Sequence, residues 1–185
     1  MTKDSLYVVI GKCYLFKMAD GKLLGYDSAG WYNTAQDSYL HHMGKFKFCK
    51  DEKCTAGESV NPGDALRILD TYGIANGGTN ANQWMNNNKN GAHIGKTADY
   101  KTAGVFTISK WTCGKYCLGG FEDGVGPTCP SDSPSLTFYT LDKQSCLPAE
   151  LIEVPCDIHD NKNNCLWEKE PGSCSPGDSA HCKCN

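Results

Sequence analysis

Arginine occurs once in this 185-residue chain, at Arg67, and almost all the remaining positive charge is lysine. A nucleic-acid-binding surface normally shows a basic stripe with arginines for bidentate contacts. No such stripe is present, and the net charge is −3. No apolar run is long enough to span a bilayer, so membrane insertion is not expected. No Asn-x-Ser/Thr sequon occurs, and N-glycosylation is not expected. Catalytic signatures are missing too: there is no Gly-x-Ser-x-Gly elbow, no His-Glu-x-x-His and no P-loop. Nor is there a Cys-x-x-Cys pair, the usual half of a structural zinc site.

Cysteine, by contrast, is abundant. Twelve are spread along the chain: Cys13, Cys49, Cys54, Cys113, Cys117, Cys129, Cys146, Cys156, Cys165, Cys174, Cys182 and Cys184. An even number at scattered spacings reads as a set of disulfides, which form and persist only in an oxidising compartment. The close pairs, Cys49-x4-Cys54, Cys113-x3-Cys117 and Cys182-x-Cys184, suit zinc poorly. The expectation is a secreted, extracellular protein with its pairing left open. Met1 then stands where a removed signal sequence would have ended. A cysteine nucleophile needs a free thiolate, so a fully paired set also argues against thiol chemistry.

The chain reads as all-β. Its 20 glycines and 8 prolines punctuate short runs rich in Tyr, Phe and Val, and glycine and asparagine tolerate the positive φ of tight turns. About a dozen short strands are expected, at 6–10, 13–18, 22–26, 45–49, 65–69, 72–75, 83–85, 92–95, 104–109, 115–118, 136–141 and 149–154. Only 147–154 has a period that could also suit a short helix. Segments starting at Cys13, Ala65 and Val105 share a scheme of apolar strand, polar turn and second strand ending near a glycine. Three such hairpins, about 40 to 50 residues apart, suit a β-trefoil-like barrel, in which closure removes exposed sheet edges. The alternative is a β-sandwich. Residues 1–156 are read as a single β domain. Residues 157–185 are polar, carry four cysteines, and hold only Leu166 and Trp167 as large hydrophobic residues. They are read as a disulfide-stapled C-terminal extension, because such a stretch cannot build its own core.

The order of elements from residue 83 to 156 carries a resemblance. It runs through Gly91-Ala-His-Ile-Gly95, Gly104-Val-Phe-Thr-Ile-Ser109, Cys129-Pro130, Leu136-Thr-Phe-Tyr-Thr-Leu-Asp142, Cys146 and Ala149-Glu-Leu-Ile-Glu-Val-Pro-Cys156. This resembles the fungal secreted phiA-like cell wall proteins, also known as IgE-binding proteins. The resemblance implies that Cys129, Cys146 and Cys156 are the family's cysteines, with Cys49 or Cys54 supplying a fourth. Cys13, Cys113, Cys117 and the cysteines from Cys165 to Cys184 depart from that pattern. A member armoured with extra cysteines points to a fungal effector or elicitor facing proteases in a plant apoplast. The resemblance implies no catalytic residues.

Side-chain chemistry adds little in favour of an enzyme. Glu150 and Glu153 are three apart, so on a strand they face opposite ways. Asp20, Asp27, Asp70 and Asp142 sit beside turns, where short acids satisfy local amides. His41-His42 and His181-Cys182-Lys-Cys184 are metal-like clusters that a surface loop and a stapled tail explain more simply; no metal and no cofactor is expected. Trp31, Tyr32, Tyr39 and Trp84 lie in polar, glycine-flanked stretches. They are either packed over one end of the barrel or exposed as a binding surface for a glycan or protein. The sequence thus predicts a non-enzymatic monomer that binds a host extracellular protein or receptor, or a cell-wall glycan. A Kunitz-type protease inhibitor, also a disulfide-bonded trefoil, is the further alternative.

Overall fold

In the computed structural model, the residues described are 8–18, 21–26, 32–34, 42–71, 83–86, 94–110, 116–120, 124–127, 136–139 and 147–156. Thirteen strands lie among them: β1 (Cys13–Met18), β2 (Gly25–Tyr26), β3 (Tyr32–Asn33), β4 (His42–Met43), β5 (Phe46–Cys49), β6 (Arg67–Asp70), β7 (Gln83–Met85), β8 (Lys96–Thr97), β9 (Phe106–Lys110), β10 (Tyr116–Gly120), β11 (Gly124–Pro127), β12 (Leu136–Tyr139) and β13 (Leu147–Val154). Their one helical element is a 3₁₀ turn, Tyr100–Thr102, capped by the Asp99 side chain accepting from the Lys101 amide. The chain is all-β.

Eight strands form one sheet in the order β8-β7-β6-β5-β1-β13-β10-β9, every described pair antiparallel. Smaller sheets join β3-β2-β4 and β11-β12. An isolated bridge adds one link. Leu66, just before β6, and Phe106, which opens β9, exchange both backbone hydrogen bonds at 2.8 and 2.7 Å.

The longest ladder explains itself from composition. In Cys13-Tyr-Leu-Phe-Lys-Met, alternate residues Tyr14, Phe16 and Met18 enter the main core while Lys17 stays exposed. Cys13 and Leu15, on the other face, are buried as well, so the strand is covered on both sides along most of its length. Opposite it, β13 pairs all six positions from Cys13↔Val154 to Met18↔Ala149. The segment with the ambiguous period is therefore a strand, held by β1 along 149–154 and by β10 along 147–149 on its other side. Aromatic rings fill the centre. Phe16 lies 4.5 Å from Phe46 and 5.6 Å from Phe48, and Tyr32 lies 5.8 Å from Phe46. Each buried Phe stabilises the fold by roughly 1.5–3 kcal/mol through area removed from water. Gly44 makes room for this packing: any Cβ there would run into the Phe46 ring.

Several expected strands take other forms. The 22–26 run shrinks to Gly25–Tyr26, with Leu23 bridging back to Lys17. Ile94 and Gly95 fall outside any strand, and the pairing segment is the polar Lys96–Thr97 instead. The strands β3, β4, β8 and β11 differ from expectation, since two residues or a glycine-rich four have no alternation to read. The expected strand at 72–75 and the whole extension 157–185 lie outside the described residues. Among the described residues no helix is long and apolar enough to cross a membrane.

Two disulfides are in view, Cys13–Cys156 and Cys49–Cys54. The first ties β1 to the residues following β13, across a sequence separation of 143. Cys156 is thus bonded to one of the cysteines that depart from the phiA-like pattern, and Cys49 and Cys54 are bonded to each other.

Candidate functional site

Two arrangements of charged side chains stand out, one inside the fold and one on its surface. The inner one starts at Asp70, the last residue of β6, which is fully buried. Its Oδ2 accepts a hydrogen bond from the Tyr32 hydroxyl at 2.7 Å and lies 3.2 Å from the Lys96 ammonium. Its Oδ1 accepts from the Lys45 backbone amide at 3.3 Å. The Lys96 ammonium also sits 3.9 Å from the centre of the Tyr26 ring, a cation–π contact strengthened by the absence of water. Asn86 holds the approach to Lys96, donating to the Lys96 carbonyl and accepting from the Gly95 amide, both at 3.1 Å. Lys45 is buried as well, its ammonium donating to the Pro155 carbonyl at 2.6 Å.

These contacts set the protonation behaviour. Burial pushes the Tyr32 phenol well above its ordinary range, and the Asp70 charge and hydrogen bond push it further. Burial pulls the Lys96 ammonium down, while Asp70 pulls it partly back up. A carboxylate already serving a phenol, an amide and an ammonium has little capacity left for a substrate. The cluster ties the β2–β3 pair to the large sheet, joining Tyr26 and Tyr32 to Asp70 of β6 and Lys96 of β8. Asp70 was expected to satisfy local amides beside a turn; it reaches instead to residues 25 and 38 positions away.

The outer arrangement is the segment between β5 and β6. Its base is closed by the Cys49–Cys54 disulfide, and the Cys54 amide donates to the Asp51 carbonyl at 3.1 Å. Its return limb is zipped onto residues 8–10. The Gly57 amide donates to the Ile10 carbonyl, the Ile10 amide to the Glu58 carbonyl and the Val60 amide to the Val8 carbonyl. Val60 is fully buried and acts as an anchor. The Lys50 ammonium bridges Glu58 at 3.0 Å and Asp64 at 3.2 Å. Gly11, at φ +78°, permits the close approach, since a Cβ there would press on the Ala56 Cα. Residues 51–53, 55–59 and 61–63 are nevertheless exposed. The result is a loop open to partners and fixed at both limbs.

Beneath that loop lies a smaller core of Cys49, Leu69, Trp84 and Ala103, with Tyr100 packed on it. Trp84 meets Tyr100 edge-on at 5.0 Å, and the Tyr100 hydroxyl donates to the Lys50 carbonyl at 3.2 Å.

Of the four aromatic residues considered for a binding surface, Tyr32 and Trp84 take the packed alternative and offer no face to a partner. Tyr32 is inside the core and Trp84 is only 6% exposed. Each serves a core, Tyr32 through its bond to buried Asp70 and Trp84 through its contact with Tyr100. Trp31 and Tyr39 lie outside the described residues. So do Cys113, Cys129, Cys146, Cys165, Cys174, Cys182 and Cys184, and the Cys117 side chain. Among the described residues no group of three or more His, Cys, Asp or Glu is placed to hold a metal ion. Sequence reasoning missed Lys45, Lys96 and the way the loop 50–64 is pinned. Only its flanking cysteines signalled the loop, and nothing in the sequence distinguished Lys96 from the exposed lysines.

No protein-family model matches the chain, and no curated protein matches it. Solved structures do. A water-soluble chlorophyll protein from Brassica oleracea var. Botrytis, with chlorophyll b, superimposes with a TM-score of 0.54 at 16% identity. The match covers 80% of this chain and 94% of that one. A structure described as type II water soluble Chl binding proteins gives 0.55 at 17%, with the same coverage. The chain shares the fold of these proteins. At such low identity the likeness to the water-soluble chlorophyll proteins is one of fold alone. Chlorophyll binding is a property of those chains.

Proposed function

We propose that this chain is a secreted, disulfide-stapled protein of the effector or elicitor kind, which acts outside the cell by non-covalent recognition from loops on a β-trefoil scaffold. The observation that carries the reading is the loop 50–64: exposed, yet held by a disulfide, an ion-pair bridge and a ladder to residues 8–10. A loop fixed before binding loses less entropy on docking. Support for binding over catalysis comes from the interior, where the side chains of Asp70, Lys96 and Tyr32 hold one another out of reach of water. The source and the apoplastic setting rest on the phiA-like resemblance and on the cysteine content.

The trefoil is inferred from connectivity. Strands β6-β5-β1-β13-β10-β9 are joined in order, and the Leu66–Phe106 bridge links the two ends of that series. The other strands pair as β2 with β3 and β4, β7 with β8, and β11 with β12. Six strands bridged at their ends, with β1, β6 and β10 each leading into one hairpin, are the arrangement a trefoil would have, and they support that reading.

Infiltrating the purified, oxidised protein into leaves of several plant cultivars tests the reading, with a reduced and alkylated sample alongside. Cultivar-dependent cell death that disappears on reduction is expected. Equal death from the reduced sample would defeat recognition of a folded surface. Retention on chitin or glucan with no leaf response would transfer the role to the cell wall. A second reading, a Kunitz-type protease inhibitor, gains from the same loop, because an inhibitor needs exposed backbone held rigid. Lack of inhibition of trypsin-, subtilisin- and papain-type proteases would remove it.

A further inference from the structure

The chain's single arginine opens β6 opposite Cys49, at the edge of the pinned loop. Its guanidinium carbon lies 4.2 Å above the centre of the Tyr100 ring. Tyr100 is itself fixed, edge-on to Trp84 and bonded to the Lys50 carbonyl. One face of the guanidinium is therefore covered by a ring that cannot swing away. Nε is sealed from water with no hydrogen-bond partner among the described residues. The terminal nitrogens are not sealed without a partner in this way, and the residue as a whole is half-buried, so part of it reaches the surface. No carboxylate among the described residues pairs with it, and the acids of the adjoining loop, Glu58 and Asp64, are held by Lys50.

A guanidinium stays charged at any pH a protein survives, and its planar fork matches a carboxylate in two parallel hydrogen bonds. Here the fork is stacked and left without a counter-ion among the described residues. We propose that Arg67, seated on Tyr100, anchors a protein-binding surface and takes one Asp or Glu carboxylate of an extracellular partner, with the exposed side of loop 50–64 as the rim. Arginine beside buried aromatics is a common composition for a binding hot spot. An acidic polysaccharide is the weaker match. A polyuronate presents a carboxylate on every sugar and asks for a row of cations, whereas Arg67 stands alone and Lys50 is engaged. Sugar stacking also needs an open ring, while Tyr100 is covered by Arg67 and Trp84 is buried.

This site deepens the recognition reading and rests on it, so its test is chosen to fail separately. Because there is one arginine, ¹⁵N-labelled full-length protein gives one arginine Nε–H signal. It is titrated with an end-blocked Gly-Glu-Gly peptide, with Gly-Gln-Gly, and with oligogalacturonate at equal carboxylate and ionic strength. The expected result is a saturable shift with the Glu peptide only. Followed at the Tyr100 amide, Arg67→Lys weakens that binding by about tenfold, since the charge remains but the fork is lost. No saturable shift with the Glu peptide overturns the site, whatever leaves do. A stronger response to oligogalacturonate overturns the choice of partner. An intact titration beside an inert leaf assay would remove the elicitor reading and leave the carboxylate site standing.

Discussion

At Lys96 the ammonium lies 3.2 Å from Asp70 and both side chains are shut off from water; at Lys50 the ammonium lies 3.2 Å from Asp64 and 3.0 Å from Glu58, with about a third of its side-chain surface exposed. The separations are nearly equal, but the surroundings are not. Without water, a charge has no alternative partner, so removing one member strands the other. In water, solvent and salt replace a lost partner at little cost. The staples divide in the same way. Cys13–Cys156 closes a separation of 143 residues beside the core, while Cys49–Cys54 closes 5 residues under a surface loop. The inner region should govern whether the chain folds, and the outer one how it presents its loop.

Asp70→Ala attacks the inner region and carries the largest expected effect. It leaves Lys96 buried without its counter-ion and Tyr32 without its acceptor, and should cost about 3–5 kcal/mol in guanidinium denaturation. A loss under about 1 kcal/mol would break the contrast between the two regions. Replacing Asp70 and Lys96 together by Leu and Met should recover part of the loss, because no buried charge is then stranded. The staples come next. Cys13→Ala with Cys156→Ala should cost about 3–5 kcal/mol, and Cys49→Ala with Cys54→Ala about 2 kcal/mol, by the dependence of chain entropy on ring size. Equal losses from the two pairs would mean that the ring-size argument does not describe this fold.

The outline of the inner region was legible in the sequence, and its chemistry was not. Strand β1 came through at its full bounds because Cys13-Tyr-Leu-Phe-Lys-Met is an apolar and aromatic run interrupted only by Lys17. The hairpin scheme at Cys13 was also real, closed by the Lys17–Leu23 bridge. The scheme at Val105 marked β9 and β10, a pair joined along five residues. In the inferred trefoil, however, the partner of β1 and β6 in the threefold repeat is β10, one strand later. Sequence similarity follows local hairpins, and the threefold relation is set by pairings between distant strands. Asp70 and Lys96 stayed invisible for the same reason. Each looks like an ordinary surface charge until residues 26 positions apart are brought within hydrogen-bonding range. The loop 50–64 lacks any periodicity, because its order comes from backbone bonds to residues 8–10 and from one buried valine.

Tyr32→Phe sharpens the comparison with a smaller and pH-dependent effect. Losing a hydrogen bond to a buried carboxylate should cost about 1.5–3 kcal/mol near neutral pH. The phenol's folded pKa is raised above its unfolded value near 10, so above pH 10 the unfolded chain releases a proton that the folded chain keeps. Stability from this group is therefore present below pH 10 and is lost as pH rises beyond it. Lys96 runs in the opposite direction. Its folded pKa lies below the unfolded 10.5, so the unfolded chain binds more protons and stability rises with pH until 10.5 is passed. Wild type should thus decline more steeply above pH 10 than Tyr32→Phe in chemical denaturation measured across pH 8–11. Parallel curves would show that the phenol does not titrate as its burial requires.

Lys50→Ala carries the smallest expected effect on stability, about 0–1 kcal/mol, and that loss should shrink further in 1 M salt. Its consequence is local. Without the bridge, Glu58 and Asp64 no longer hold the two limbs of the loop together, while Cys49–Cys54 and the ladder to residues 8–10 remain. Amide hydrogen exchange should therefore quicken at Asp64, whose amide donates to the Asn61 carbonyl, and stay slow at Val60, anchored to Val8. Quickened exchange at both would mean that the loop opens as one unit and that the surface charges, like the buried ones, hold structure. Quickening at Asp64 alone, with global stability unchanged, would keep the two regions distinct: a charge pair in water shapes a loop, and a charge pair out of water holds a fold.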